Sequence, residues 1–187
     1  AILNRISFSG ELGFEIYVAP HFQLKLFEEI ETNGKDLGLK LYGNRALMSL
    51  RLEKNWGAWT LDFRPDFTAV ESGLDLFINW NKDFVGKEFT LNEKQSGSEK
   101  KLVTMIVDTE DIDVTNDEAI LKNNKCIGYV TSGGYAHHIK KSMALGYLPS
   151  EFAKHNTIVD IEINGKLYPA KITTKPLYDD NGGRMKS

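Results

Sequence analysis

The sequence predicts an α+β fold in which a region of mixed helices and strands is followed by a small antiparallel β-barrel. Apolar residues recur at helical spacing in the first half of the chain, and six short strand-like runs separated by turn residues fill the second half. Between the halves, residues 96–101 are small or charged and have nothing to bury. We therefore predict a boundary there, with one domain over residues 1–95 and the barrel over residues 102–178.

The first predicted element is a half-buried strand. Phe14, Ile16 and Val18 alternate with Glu15 and Tyr17, which is the period of a strand with one buried face. The chain enters this region without an initial methionine and without the exposed polar residues that usually begin a domain. We therefore expect a piece of a longer polypeptide.

Two helices are predicted next. Apolar residues between positions 22 and 30 form one stripe, and Asn33-Gly34 ends it in the manner of a helix C-terminus. The second helix is predicted over residues 45–53. Arg51 follows Leu50 of the apolar face directly, so we expect its side chain at the edge of that face.

An irregular aromatic segment follows over residues 55–68. The aromatic side chains of such a segment either pack into the hydrophobic core or line a pocket, and packing into the core is the commoner case. A strand over residues 76–80 and a short helix over residues 83–93 complete the first half. We expect Lys54 and Lys87 to be surface charges.

The second half predicts a barrel because its strand-like runs are short and evenly separated by turns. Asn164-Gly165 between two such runs is a strong signal for a two-residue hairpin. The tail over residues 179–183 is polar, and we expect it to be frayed. The predicted strands cover residues 102–107, 119–121, 126–132, 144–148, 157–163 and 167–173.

Composition excludes several classes of function. The 187 residues carry a formal net charge of −3, which gives no electrostatic case for nucleic acid or an anionic membrane as a partner. The single cysteine, Cys126, excludes an intrachain disulfide and a cysteine-rich zinc site, and its strand-like setting predicts burial. No apolar run approaches the ~20 residues needed to span a bilayer, and no signal peptide is visible, so we expect a cytoplasmic protein.

The residues that could carry chemistry are few. Gly10 and Gly13 bracket Glu11 in a tight turn at the entrance of the first strand, and from spacing alone a solvated glutamate is the commoner outcome. His137 and His138 would point to opposite faces of a strand, so we expect solvated histidines and no metal site. The sequence contains no dinucleotide or phosphate loop and no serine-hydrolase arrangement.

Six short motifs in order resemble the glycine cleavage T-protein (aminomethyltransferase) family, and the resemblance covers nearly the whole chain. The pattern is most similar to the folate-binding C-terminal region of dimethylglycine and sarcosine dehydrogenases. The motifs lie at residues 9–15, 49–54, 57–59 with 68–74, 84–88, 128–135 with 140–147, and 168–171 with 175–178.

The resemblance implies half of a T-protein-type folate-binding domain followed by that family's C-terminal barrel. It implies transfer of a one-carbon unit from an amine derived from glycine, sarcosine or dimethylglycine to tetrahydrofolate. Glu11 matches the family's pterin ligand, and Arg51 lies in a helix motif beside the folate site. Tyr17 and Trp59 are further candidates for the cofactor pocket. These residue types suit folate, because a carboxylate accepts from the pterin N–H edge, aromatics stack on its face and an arginine pairs with its carboxylate tail.

The resemblance also implies a missing part. The family's catalytic aspartate lies in sequence that precedes the position of Ala1, so no catalytic residue is assigned here. We expect that the 187-residue chain by itself is not a competent transferase. Expected partners are folate, a small amine, and either an upstream FAD-dependent oxidase domain or the N-terminal half of the folate domain. Two alternatives stay open: a non-catalytic folate-binding or interaction module of the same fold, and a folate-dependent demethylase of another methyl donor.

Overall fold

The structure is a computed structural model that describes residues 1–186. Its first half contains a two-stranded antiparallel ribbon and three helices, joined by long irregular segments with short 3-10 turns. The ribbon strands are β1 (Ile2–Asn4) and β2 (Glu15–Tyr17), and the helices are α1 (Gln23–Gly34), α2 (Asn44–Glu53) and α3 (Lys87–Ser96).

The second half is a closed six-stranded antiparallel barrel with the strand order β3-β6-β5-β4-β7-β8. All six predicted strands are confirmed, with ends that differ by a few residues. A short helix, α4 (Gly183–Lys186), follows the barrel. The barrel strands are β3 (Lys100–Val107), β4 (Ala119–Lys122), β5 (Lys125–Ala136), β6 (Lys141–Pro149), β7 (Ile158–Ile163) and β8 (Lys166–Thr173).

The barrel closes around alternate residues of its strands. On β7, Val159, Ile161 and Ile163 are buried while the residues between them are more exposed, which is the period expected when one face of a strand is in the core. The β7–β8 hairpin turns at Asn164 and Gly165, whose φ angles of 50° and 76° are those of a two-residue hairpin turn. The predicted hairpin is therefore confirmed.

Helix α2 joins the two halves by packing on the outside of the barrel. Leu52 of α2 is buried in a cluster with Met143 and Leu145 of β6. The Ser49 hydroxyl donates a hydrogen bond of 2.5 Å to the carbonyl of Tyr135 on β5. The last turn of α2, where Arg51, Leu52 and Glu53 are all buried, therefore anchors the first half on the barrel.

The apolar side chains of β2 and α1 are exposed to solvent. Helix α1 has no buried residue, and Phe27 and Ile30 on its apolar stripe are 45% and 41% exposed. Strand β2 forms where predicted, but Ile16 is 42% exposed, so the predicted burial of one face is not present within this chain.

Several local predictions were wrong. Residues 76–80 form no strand, because no neighbouring strand offers a ladder there; a 3-10 turn occupies Leu74–Phe77. The helix predicted from residue 83 begins at Lys87, after Gly86 adopts a left-handed φ of 87°. Cys126 is exposed, because it lies beside the β4–β5 turn at the start of β5.

Within residues 1–186, no helix is both long enough and apolar enough to cross a membrane. The same residues contain no group of three or more His, Cys, Asp or Glu side chains placed to hold a metal ion.

Candidate functional site

The turn that presents Glu11 is built on two glycines. Gly10 is buried with a φ of +85°, and a Cβ there would lie 2.4 Å from Cγ of Lys54, so only glycine fits. A Cβ on Gly13 would lie 2.7 Å from the carbonyl oxygen of Ile6. The Ser7 hydroxyl accepts a hydrogen bond of 3.1 Å from the Gly10 amide, which fixes the turn before Glu11.

The Glu11 carboxylate is held by the C-terminal tail. Nε of Arg184 lies 2.8 and 2.7 Å from its two oxygens, and the Tyr178 hydroxyl donates to Oε1 at 3.0 Å. Burial raises the pKa of Glu11, but the hydrogen bonds from Arg184 and Tyr178 outweigh it, and the pKa is lowered on balance. Glu11 is therefore an ionised acceptor of fixed orientation and not a freely solvated side chain.

Arg51 lies beneath the surface in a buried polar network. Its side chain is 2% exposed, and Nη1 donates to Oδ2 of Asp62 at 2.7 Å and to the Trp56 carbonyl at 3.0 Å. Burial lowers the pKa of Arg51, and Asp62 opposes that shift. The structure thus places Arg51 where it organises the aromatic segment, and its contact with folate stays a prediction.

Asp62 connects that network to the barrel. Besides Arg51, its carboxylate accepts from the Ala58 amide at 2.8 Å, from the Thr131 hydroxyl at 2.5 Å and from the Ser132 hydroxyl at 2.8 Å. Sequence reasoning gave Asp62 no role. Its environment could not be inferred, because the partners on β5 are about 70 residues away along the chain.

Trp59, but not Tyr17, lines an open aromatic cavity of about 710 Å³. Trp59 lines the cavity, is 77% exposed and packs edge-on against Phe63, with ring centroids 5.8 Å apart. The Tyr17 hydroxyl donates to the Glu15 carboxylate, which also lines the cavity; this hydrogen bond raises the pKa of Tyr17. The other lining residues include Phe8, Leu47, Asn55, Trp56, Ser72 and Phe77.

The four predicted site residues are not brought into mutual contact. Among the described residues, Glu11 forms no hydrogen bond or ion pair with Arg51, Tyr17 or Trp59. Trp59 lines the cavity, and Tyr17 is linked to it through Glu15. Glu11 lies at the turn and tail, and Arg51 lies in the buried network.

A second cluster, which the sequence analysis missed, lies between α2 and Glu11. Glu53 is 1% exposed and accepts from the His138 amide at 2.6 Å and from its Nδ1 at 2.5 Å. The His138 ring stacks on Tyr178 with centroids 4.2 Å apart. His138 is exposed, as expected of a loop histidine, but the turn after β5 also brings it onto α2, where it binds Glu53, and this contact was not expected.

The prediction of a surface Lys54 was also wrong. Its side chain is 3% exposed, and its ammonium pairs with the Asp179 carboxylate at 3.2 Å. Asp179 in turn accepts from the backbone amides of Gly183 and Arg184, at 2.9 and 3.2 Å, which caps α4. The tail predicted to be frayed is therefore docked. The spacing of Asp179 ahead of Gly183 was the only signal in the sequence that pointed to this cap.

Comparison with known proteins identifies what the two halves resemble. The family model described as the GCVT N-terminal domain matches residues 1–82, and the model described as the glycine cleavage T-protein C-terminal barrel domain matches residues 100–179.

Full-length relatives extend this likeness. The chain is 38% identical over 175 residues to human mitochondrial dimethylglycine dehydrogenase, covering 92% of this chain and 20% of that protein. It is 36% identical over 180 residues to an aminomethyltransferase of Picosynechococcus, covering 95% of this chain and 48% of that protein. The chain thus spans about a fifth of the dehydrogenase and about half of the aminomethyltransferase.

A solved structure has the same fold. The crystal structure of the glycine cleavage system aminomethyltransferase T from Bartonella henselae superposes with a TM-score of 0.85 at 27% sequence identity. The superposition covers 95% of this chain and 50% of that one. The strand order of the barrel and the arrangement of the first half therefore both have a counterpart in a solved enzyme.

Proposed function

Because the chain belongs to the glycine cleavage T-protein family, we propose that it is the tetrahydrofolate-binding portion of an aminomethyltransferase-like enzyme. The proposed reaction transfers a one-carbon unit to tetrahydrofolate from a small amine derived from glycine, sarcosine or dimethylglycine. Such an activity suits a chain with relatives among both aminomethyltransferases and dimethylglycine dehydrogenases.

The observation that carries the proposal is the ionised Glu11 at the tip of a rigid turn. The pterin ring has an edge of adjacent N–H donors, and a carboxylate accepts from such an edge with charge-assisted hydrogen bonds. The pKa of Glu11 is lowered on balance, so the group stays an acceptor at neutral pH.

The aromatic cavity supports the same proposal. Trp59 presents an open ring face, and flat heteroaromatic rings stack on such faces. Tyr17 donates a hydrogen bond to Glu15, which lines the cavity. We assign Trp59 and Tyr17 to the pocket wall, and we assign Arg51 a supporting place because it anchors the segment that carries Trp59.

We further propose that a second polypeptide segment completes this site. The apolar stripe of α1 and the face of β2 stay open to solvent, and contiguous apolar surface of this kind marks a packing partner. A preceding half of the same folate domain is the partner that the relatives offer, and in the dehydrogenase branch an FAD-dependent oxidase domain would supply the amine-derived carbon. We retain the cytoplasmic location as a prediction.

Calorimetric titration with 5-formyltetrahydrofolate tests the proposal. The chain, and the full natural polypeptide in parallel, should bind this folate saturably. Glu11→Ala should weaken binding by about 1–3 kcal/mol, roughly 5- to 150-fold in Kd, because the pterin donors then lose a charged acceptor.

Glu88→Ala is the matched control, since it removes an exposed carboxylate at the start of α3. It should leave Kd unchanged. Equal affinity of wild-type and Glu11→Ala protein, in the chain and in the full polypeptide, would remove Glu11 from the site. No folate binding in either form would overturn the proposed function.

A further inference from the structure

A second open cavity adjoins the aromatic cavity. Its volume is about 670 Å³, which is within the range of small-molecule sites. It shares Trp59, Phe63, Ser72 and Leu74 with the aromatic cavity. Among the described residues that line it, Arg64 is the one cation, and we call it the arginine cavity.

The guanidinium of Arg64 is held in place by aromatic side chains. Nη2 donates to the Tyr129 hydroxyl of β5, and the guanidinium carbon lies over the Tyr129 and Phe67 rings, 5.5 and 5.7 Å from their centroids. The Phe67 ring is itself stacked on Tyr147 of β6. The orientation of the guanidinium is therefore set before a ligand binds, which reduces the conformational entropy that binding costs.

Much of the hydrogen-bonding capacity of Arg64 is unused. Among residues 1–186, Nη1 donates no hydrogen bond, and the buried Nε has no hydrogen-bond partner. Asp66 lies 3.4 Å from Nε, which is an ion-pair distance without the geometry of a hydrogen bond, and its side chain is 68% exposed. Because such an exposed pair contributes little, Arg64 keeps donors that a carboxylate can accept through two parallel hydrogen bonds.

The loop that carries Trp59 supplies an aromatic wall beside this cation. Trp59 is 77% exposed, and Phe63 packs edge-on against it. Next to it, Thr60 has a φ of 68°, a left-handed value that a β-branched residue rarely adopts. Asp62 fixes this loop, since its carboxylate accepts from the Ala58 amide at 2.8 Å and its own amide donates to the Ala58 carbonyl at 2.9 Å. Backbone strain that buried contacts maintain in this way is concentrated at binding sites.

We propose that the arginine cavity binds a planar aromatic ring linked to a carboxylate. The ring packs on Trp59, and the carboxylate pairs with Arg64. Two sources offer this chemistry: the aminobenzoyl-glutamate tail of a folate whose pterin lies in the aromatic cavity, and a separate aromatic carboxylate. Only the first source rests on the proposed function, and neither requires a contact with Glu11.

Calorimetric titration with three probes tests the inference, in the full natural polypeptide and in the chain. The probes are 5-formyltetrahydrofolate, 6-methyltetrahydropterin, which lacks the tail, and p-aminobenzoyl-glutamate, which lacks the pterin. Wild-type protein should bind p-aminobenzoyl-glutamate saturably. Arg64→Gln should weaken binding of the two probes that carry a carboxylate by about 10-fold, because hydrogen bonds to a charged group are lost, and should leave the Kd of 6-methyltetrahydropterin unchanged.

Asp66→Asn should have the opposite effect. It removes a carboxylate that competes for Arg64, so p-aminobenzoyl-glutamate should bind about threefold more tightly. A purely structural role of Arg64 predicts no such gain. Lys82→Gln is the matched control, because it removes an exposed cation from the same half of the chain, and it should leave all three Kd values unchanged.

The outcomes separate the two sources and the proposed function. If Arg64→Gln weakens binding of p-aminobenzoyl-glutamate but not of 5-formyltetrahydrofolate, the cavity takes a separate aromatic carboxylate. If neither pterin probe binds while p-aminobenzoyl-glutamate binds through Arg64, the proposed function fails and this inference holds.

Two results would overturn the inference itself. The first is a wild-type protein that does not bind p-aminobenzoyl-glutamate, together with equal affinity of wild type and Arg64→Gln for 5-formyltetrahydrofolate. The second is an equal loss of affinity in Arg64→Gln for 6-methyltetrahydropterin, because that probe has no carboxylate to pair with the guanidinium.

Discussion

The two halves of this molecule differ in where their apolar residues lie. In the barrel, residues such as Met105, Ile120 and Ile161 are fully buried by neighbours that belong to the barrel itself. In the first half, Leu24 and Phe27 of α1 and Ile16 of β2 stay open to solvent. The barrel is therefore a self-contained core, whereas the first half contributes surfaces, turns and a cavity whose packing is unfinished within this chain. Stability and the candidate site consequently belong to different parts of the fold.

We expect the largest loss in the free energy of unfolding from a substitution at the contact between the two halves. Asp62 is fully buried and binds Arg51 of α2 on one side and hydroxyls of β5 on the other. Asp62→Ala leaves the Arg51 guanidinium buried without its counter-ion, which typically costs about 3–5 kcal/mol. We expect a loss of that size in the free energy of unfolding measured by urea denaturation.

Asp66→Ala is the matched control for that experiment. Its carboxylate is 68% exposed and pairs with Arg64 at 3.4 Å, so its loss should change stability by less than about 1 kcal/mol. Equal effects of the two substitutions would mean that the Asp62 network does not join the halves.

The second prediction compares one residue type in the two halves. Ile161→Ala removes a fully buried side chain from the barrel and should cost about 2–5 kcal/mol, because a cavity is left in a closed core. Ile30→Ala on α1, 41% exposed, should cost less than about 1 kcal/mol in the same urea experiment. A comparable loss at Ile30 would show that the first half has a core of its own.

The same contrast explains what could be predicted from sequence. The barrel strands and the Asn164-Gly165 hairpin were predictable, because period-two burial and turn residues are local signals that a closed core enforces. The strand at residues 76–80 was wrong, because an apolar run without a neighbouring strand has no ladder to join. Glu11 could be singled out from its turn and its family resemblance.

Its partners could not be predicted. Arg184 is 173 residues from Glu11 along the chain, and His138 is 85 residues from Glu53. Contacts over such separations depend on how the barrel and tail fold back on α2, and no local spacing encodes them. Lys54 was misassigned for the same reason: its position after a helix is typical of a solvated lysine, and only the docked tail buries it.

The third prediction concerns Tyr147, which belongs to the barrel but serves the contact between the halves. Its ring stacks on Phe67 with centroids 3.5 Å apart, and its hydroxyl donates to the Asp62 carbonyl at 2.9 Å and lies 2.7 Å from Ser72 Oγ. Burial raises the pKa of Tyr147 to about 12 from an ordinary value near 10.

The sign of the stability effect follows from that shift. Above pH 10 the unfolded chain releases the Tyr147 proton while the folded chain retains it, so the contribution is complete below pH 10 and declines as pH rises toward 12. Two pKa units correspond to about 2–3 kcal/mol.

Tyr147→Phe should lower stability at pH 8, because the Asp62 carbonyl and Ser72 lose a buried partner. In urea denaturation, it should also flatten the decline of stability between pH 10 and 12. Tyr135→Phe, a more exposed barrel tyrosine, should retain the wild-type decline. An unchanged pH dependence in Tyr147→Phe would show that this hydroxyl is ionised as easily in the folded protein as in the unfolded one, and that the contact between the halves is open to water.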